Sequence, residues 1–224
     1  LEATTFSYNI KTTSGQFRKF KFGSRATNTN QQWPNPDVYT TQSGQKLSST
    51  DTRNLNRSYP GKINGTYTEQ VAFAVTELIR QNDIAVTIDL HEASPEYITI
   101  NAIVCHQDAY SIGGSAKMNM EFSDVEISIE ESPTNLHGLT HRELGDYTDT
   151  LAFLCETSNA AQGKIRGAFT EDLIVTGKDK FYDKASELDD VIYGKPTTMD
   201  ERVARHSHTI FLIIEAYNEL MSNK

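Results

Sequence analysis

The sequence predicts an α/β fold, a mixed and mostly parallel twisted sheet flanked by helices. Short runs of β-branched and apolar residues, "DIAVTIDL" at 83–90 and "DTLAFLCE" at 149–156, have the length and composition of strands buried on both faces. Segments of helical period, 66–81 and 200–221, alternate with them, as in layered α/β proteins. The 224 residues suffice for one sizeable core, so a single domain over 1–224 is expected. A hydrophobic share of 37% and a charged share of 23% are those of a globular chain, not a disordered one.

The elements follow in order. "TTFSYNI" alternates Phe6, Tyr8 and Ile10, which predicts an opening strand. "FRKFKFGSR" alternates Phe17, Phe20 and Phe22 less cleanly, and "WPNPDVY" and "SGQKLSST" are rich in turn residues. Thr66 and Glu69 have the spacing of a capping box, and Val71, Val75, Leu78 and Ile79 carry a helix from there to about Gln81. "DIAVTIDL" then reads as a strand, and "YITINAIVC" as the next. Residues 107–120 suit a helix weakened by Gly113 and Gly114. "DVEISIE" alternates Val125, Ile127 and Ile129 like an edge strand. After the buried strand at 149–156, residues 200–221 form a long closing helix, with Asp200 and Glu201 at its positive end.

Charge and composition exclude some functions. With 21 basic and 30 acidic residues the net charge is -9, which argues against nucleic acid and against anionic membrane surfaces as main partners. No apolar run approaches the ~18 residues of a membrane span. Cys105 and Cys155 each close an apolar run and read as buried core thiols; two cysteines make no zinc framework. No signal peptide is visible and the first residue is Leu, so a soluble protein is expected and the compartment stays open, with the cytoplasm favoured.

Three polar clusters stand out. In α/β sheets ligands gather at the carboxyl ends of strands. Asp89, His91 and Glu92 end one apolar run, and Glu156 to Asn159 end another. His91 is either a metal ligand or a hydrogen-bonded strand-end histidine. Glu156, after six mostly apolar residues, is either a base raised in pKa by burial or a structural carboxylate paired with Arg142 or Arg57. The loop "DTRNLNRSYPG" at 51–61 sets Arg53 and Arg57 among Asn54 and Asn56. Arginine's planar fork suits a carboxylate, so the loop reads as an anion cradle or as solvated surface. His137 and His141 lie four apart, but Pro133 and Gly138 argue for a loop there. His206 and His208 point in different directions on a helix and read as surface or core positions.

Four segments occur in a telling order: "NPD" at 35–37, "NLNRSYPG" at 54–61, "IDLHEA" at 88–93 and "FLCETS" at 153–158. Together, over roughly residues 33–160, they resemble the zinc carboxypeptidase superfamily, in particular its succinylglutamate desuccinylase and aspartoacylase branch. "FKFGSR", "DLHEASPEY" and "VTGKDKFY" look similar to a largely uncharacterised bacterial subgroup of that branch. The resemblance implies a carboxypeptidase-like fold and a zinc-dependent hydrolase with one zinc ion; whether a second metal binds is not legible in the sequence. Its substrate would be a small acidic amide or peptide, cleaved next to a free carboxylate by a carboxypeptidase or an N-acyl amino acid deacylase. By the same resemblance His91 is the third zinc ligand and Glu156 the general base. Asn56 and Arg57 hold the substrate carboxylate, Arg53 serves that anion or the developing oxyanion, and Tyr97 stands in for the tyrosine near the scissile bond.

The chain also departs from that pattern. The family draws two zinc ligands from a His-x-x-Glu motif before "NPD". Here no histidine precedes His91, and the residues three after the six histidines are Ser94, Ala109, Thr140, Leu144, Thr209 and Phe211. Two expectations follow: a segment carrying the motif is missing before residue 33, or the chain is a metal-free carboxylate-binding module on the same fold. Asn54 stands where the family often has Asp, and Tyr59 where it has Phe; neither blocks the chemistry. A third reading is an unrelated α/β protein, flavodoxin-like for example, with accidental matches. Oligomeric state is not legible in the sequence.

Overall fold

The computed structural model describes residues 7–11, 17–21, 38–48, 51, 54–121, 127–159 and 198–223. It is an α/β structure whose main sheet is mixed and flanked by helices. The chain divides into two compact units. Described residues of Leu1–Ala85 and Pro133–Thr150 belong to the first, and those of Val86–Ser132, Leu151–Phe169 and Gly177–Lys224 to the second. Among the described residues the chain passes between the units after Ala85, Ser132 and Thr150.

In the first unit, β1 (Ser7–Lys11) pairs antiparallel with β2 (Phe17–Lys21), and β3 (Val38–Thr40) with β4 (Lys46–Ser48). A turn over 41–45 joins the second pair, with the Gly44 N–H donating to the Thr41 carbonyl at 3.0 Å. A 3-10 turn at Leu55–Arg57 leads to α1 (Tyr67–Gln81). The predicted capping box is present: the Glu69 N–H donates to Thr66 Oγ1 at 3.3 Å, and the Thr66 N–H donates to Glu69 Oε2 at 2.8 Å. The α1 helix docks on the preceding loop, where Thr76 Oγ1 donates to the Pro60 carbonyl at 2.9 Å. A further helix, α3 (Thr140–Tyr147), stands where Pro133 and Gly138 suggested only loop. Those two residues lie before the helix rather than in it.

Among the described residues the second unit holds a four-stranded sheet. Its strands are β5 (Val86–Ala93), β6 (Ala102–Cys105), β7 (Ser128–Glu131) and β8 (Leu151–Ser158), in the spatial order β5-β8-β6-β7. The pairings β5/β8 and β6/β7 are parallel and β6/β8 is antiparallel, so the sheet is mixed and mostly parallel. Helices α2 (Tyr110–Glu121) and α4 (Met199–Ser222) pack against it. The core lies between them: Ile103, Cys105, Phe153 and Cys155 from the sheet meet Ile112, Ala116 and Met120 of α2 and Leu212, Ile213 and Ala216 of α4. Both cysteines are free and buried, and burial pushes the Cys105 thiol up to about 12. No helix among the described residues is long and apolar enough to cross a membrane.

Strand boundaries differ from the sequence expectation, for local reasons. The β5 strand begins at Val86, not at residue 83. Asp83 takes a positive φ of 47° and the Ile84 N–H donates to the Ile79 carbonyl at 3.1 Å, so these residues finish α1. Nor is β5 buried on both faces. It ends the strand order and is half-buried along its length, with Leu90 46% exposed. "YITINAIVC" yields a strand only at Ala102–Cys105. Tyr97 closes a turn on Ser94, and Asn101 sits at φ 48°. "DVEISIE" is an edge strand as expected, formed at Ser128–Glu131.

The paired glycines of α2 have opposite roles. A Cβ on Gly113 would overlap Cys105 Sγ and approach Ile129 Cδ1 to 3.1 Å, whereas Gly114 has nothing within 4 Å. Gly114→Ala is expected to stabilise the protein by about 0.5–1 kcal/mol through helix propensity alone. Gly113→Ala is expected to destabilise it by about 1–3 kcal/mol, because overpacking a core exceeds the propensity gain. Urea denaturation of the two variants checks this; stabilisation by both would refute the close packing of α2 on β6.

Candidate functional site

Strand geometry brings His91 and Glu156 together. In a parallel pair, register partners lie on the same face of the sheet. Val86 pairs with Leu151, and the register runs through His91↔Glu156 to Ala93↔Ser158. The strands alternate, so Ile88, Phe153 and Cys155 face the helices, while Asp89, His91, Leu154 and Glu156 face the other way. Asp89 and His91, two apart on one strand, share that face, and His91 Nε2 lies 2.9 Å from Asp89 Oδ2. Both side chains are half-buried, at 29% and 31% exposure.

This setting shifts Glu156. Burial pushes its carboxyl up to about 7; His91 pulls it down in part, and the negative charges of Asp89 and Glu92 push it further up. The charges that shift it are those of its own unit, His91, Asp89 and Glu92. The alternative partner named from the sequence, Arg142, is buried and bonds Asp146, with Nε to Oδ2 at 2.8 Å and Nη2 to Oδ1 at 2.6 Å.

The helix α4 anchors the strand ends from the opposite face. Glu92 accepts from Arg202 Nε at 2.6 Å and from Asn159 Nδ2 at 2.6 Å. The Asn159 N–H donates to the Ala93 carbonyl at 2.8 Å, and Arg205 Nη1 donates to Thr157 Oγ1 at 2.7 Å. His206 belongs to this layer. Burial lowers its pKa, against the opposing effects of Glu92 and a hydrogen bond to the His91 backbone. The sequence reads His206 as a surface or core position, and here it is half-buried. The signal for it was the spacing of Arg202, Arg205, His206 and Thr209, which places polar residues on the same helical face as Leu212, Ile213 and Ala216.

The Asn/Arg loop belongs to the other unit. Asn54 caps the 3-10 turn, its Oδ1 accepting from the Asn56 N–H at 3.1 Å, and its carbonyl accepts from Ser58 Oγ at 3.0 Å. Asn56 Oδ1 accepts from the Thr140 N–H at the start of α3 at 2.8 Å. Its acceptor end is thereby engaged, leaving the NH₂ end as the part suited to an anion. Arg57 Nη1 donates to the Asn56 carbonyl at 2.6 Å, which folds the guanidinium back over the turn. Tyr97 lies in the loop after β5 and is 61% exposed. Arg53 and the "NPD" segment lie outside the described residues.

A catalytic zinc takes three protein donors and an open position. Among the described residues no group of three His, Cys, Asp or Glu side chains could hold an ion. The described residues do not by themselves complete such a centre. Compared with protein-family models, with curated proteins and with solved structures, the chain finds no match in any of the three.

The Glu156 shift has a stability consequence of fixed sign. Its pKa is higher in the folded chain than the ordinary 4.5, so the protonated form favours folding. That contribution is full below about 4.5 and is lost as the pH rises through about 7. Glu156→Gln, always neutral, is expected to gain about 1–3 kcal/mol relative to the parent between pH ~4 and pH ~8. Urea denaturation of the metal-free proteins at both pH values measures it; a parent–variant difference independent of pH contradicts the shift.

Proposed function

We propose that the chain is a hydrolase of the zinc-carboxypeptidase kind, with the corresponding α/β fold. It cleaves an amide bond next to a free carboxylate, as a carboxypeptidase or an N-acyl amino acid deacylase. One observation carries the reading: the strand register sets Glu156 beside His91, whose ring Asp89 holds. The order of the four sequence segments supports it.

In this reading Glu156 is the base. As the carboxylate it takes a proton from the attacking water, and as the acid it returns that proton to the leaving nitrogen. A group with a pKa near neutrality serves both halves of the cycle. Asn56 and Arg57 bind the substrate carboxylate, the guanidinium supplying a charge-assisted fork. Asp89 fixes the His91 ring by accepting from it, as carboxylates commonly do for metal-binding histidines. Zinc in an enzyme of this kind polarises the carbonyl and acidifies water; donors beyond the described residues would have to join His91 for it to bind. The competing reading is a metal-free module that binds carboxylates, and the His91–Asp89 bond at Nε2 is what favours it.

Release of free amine from a panel of N-acetyl amino acids, with and without added zinc, separates the two. Hydrolysis that Glu156→Gln lowers by roughly 10²–10⁴ supports the enzyme. Binding without turnover, weakened by Arg57→Ala, identifies the module. In either case Arg57→Ala is expected to weaken free acids about tenfold or more and to spare their methyl esters. Equal losses on acids and esters would remove Arg57 from carboxylate recognition.

A further inference from the structure

A second polar construction lies against the Asn56–Arg57 turn, and none of the roles assigned above uses it. At Gly138 the chain takes a positive φ of 84°, and a Cβ there would collide with the carbonyl and Cα of Arg57. The two turns therefore touch backbone to backbone. They are also tied by hydrogen bonds: the Tyr59 N–H donates to the Gly138 carbonyl at 3.2 Å, and the Thr140 N–H to Asn56 Oδ1 at 2.8 Å. His137 is one residue from this contact.

Behind His137 stands a buried carboxylate. The Glu143 side chain is 2% exposed, and its Oε1 accepts from the Gly138 N–H at 2.7 Å and from His137 Nδ1 at 3.1 Å. Those donors make its burial tolerable. The imidazole itself is 44% exposed. With Nδ1 directed at Glu143, the other nitrogen, Nε2, lies at the far side of the ring. A ring aimed this way by a carboxylate presents one polar atom in a fixed direction.

We infer that His137 is a ligand-contacting, specificity-determining residue of the carboxylate-binding turn, sharing the acid end of the ligand with Arg57. This rests on the reading of Asn56 and Arg57 as carboxylate-binding residues, and extends it. An imidazolium donates from both nitrogens. In that form Nδ1–H goes to Glu143 and Nε2–H to the ligand, so the ring stands between the buried carboxylate and the bound acid. A purely structural pair would hold the turn equally well without Nε2 ever meeting a ligand.

N-acetyl-L-alanine and its neutral amide are suitable probes, followed by the ring nitrogen signals of His137 in long-range proton–nitrogen NMR and by titration calorimetry. The acid is expected to shift the Nε2 signal and the amide to leave it in place. His137→Gln, whose amide can still donate to Glu143, should weaken acid binding about tenfold, the scale of one charge-assisted hydrogen bond, and leave binding of the neutral amide unchanged. Acid binding that Arg57→Ala abolishes, with the His137 signal still and His137→Gln without effect, overturns the inference and leaves the Arg57 role standing. A shifted signal and a weakened His137→Gln variant, with Arg57→Ala neutral, overturn the shared contact and remove Arg57 from carboxylate binding. No acid binding in the millimolar range overturns both.

Discussion

Everything proposed for the second unit depends on one alignment, the parallel register of β5 on β8. Side chains alternate along a strand with a period of two, so a slip of one residue would turn Glu156 away from His91 and into the apolar core. The core forbids that slip. Phe153 and Cys155 are nearly fully buried against α2 and α4, and moving them to the opposite face would bring Leu154 and Glu156 under the helices instead. The hydrophobic pattern of one face thus fixes the chemistry of the other.

The same alternation links α4 to the functional face through one backbone step. Glu92 points to the helix side and is held by Arg202 and Asn159, while His91 points away and meets Asp89. Desolvating Glu92 and Arg202 is costly unless their charges pair and their hydrogen-bonding groups are satisfied. The bonds that satisfy them also define where β5 ends. In the first unit the work is done differently. There, main-chain contacts between two turns, rather than a sheet, set Asn56 and Arg57 in place.

How much of this was legible varies with the range of the physics involved. The capping box at Thr66, the buried run at β8 and the closing helix are local signals, and the structure contains all three. The rise in Glu156 pKa was also legible, since six mostly apolar residues before a carboxylate foretell desolvation. What failed was decided at longer range. "YITIN" has strand composition, yet Asn101 leaves the extended region and spends its Oδ1 on the Ser158 N–H at 3.0 Å, a partner 57 residues away. Among the described strands β5 stands at the end of the order and is half-buried, a placement that composition does not encode. His206 was set aside because His206 and His208 diverge on the helix, which says nothing of where each one points. His206 lies next to the His91 backbone.

The strand order has a consequence for synthesis on the ribosome. Chains emerge from the amino end, and domains tend to fold as they appear. The strand β8 is the last of the four to be made, yet it sits between β5 and β6. A nascent chain that has emerged only as far as Glu131 can pair β6 with β7, but β8, the partner of β5 among the described strands, is not yet made. The edges of β5 and β6 that will receive β8 stay open until residues 151–158 leave the exit tunnel. Unpaired edges invite pairing with other chains. Between the translation of β7 and that of β8, the strand edges that β8 will cover are therefore open to other chains.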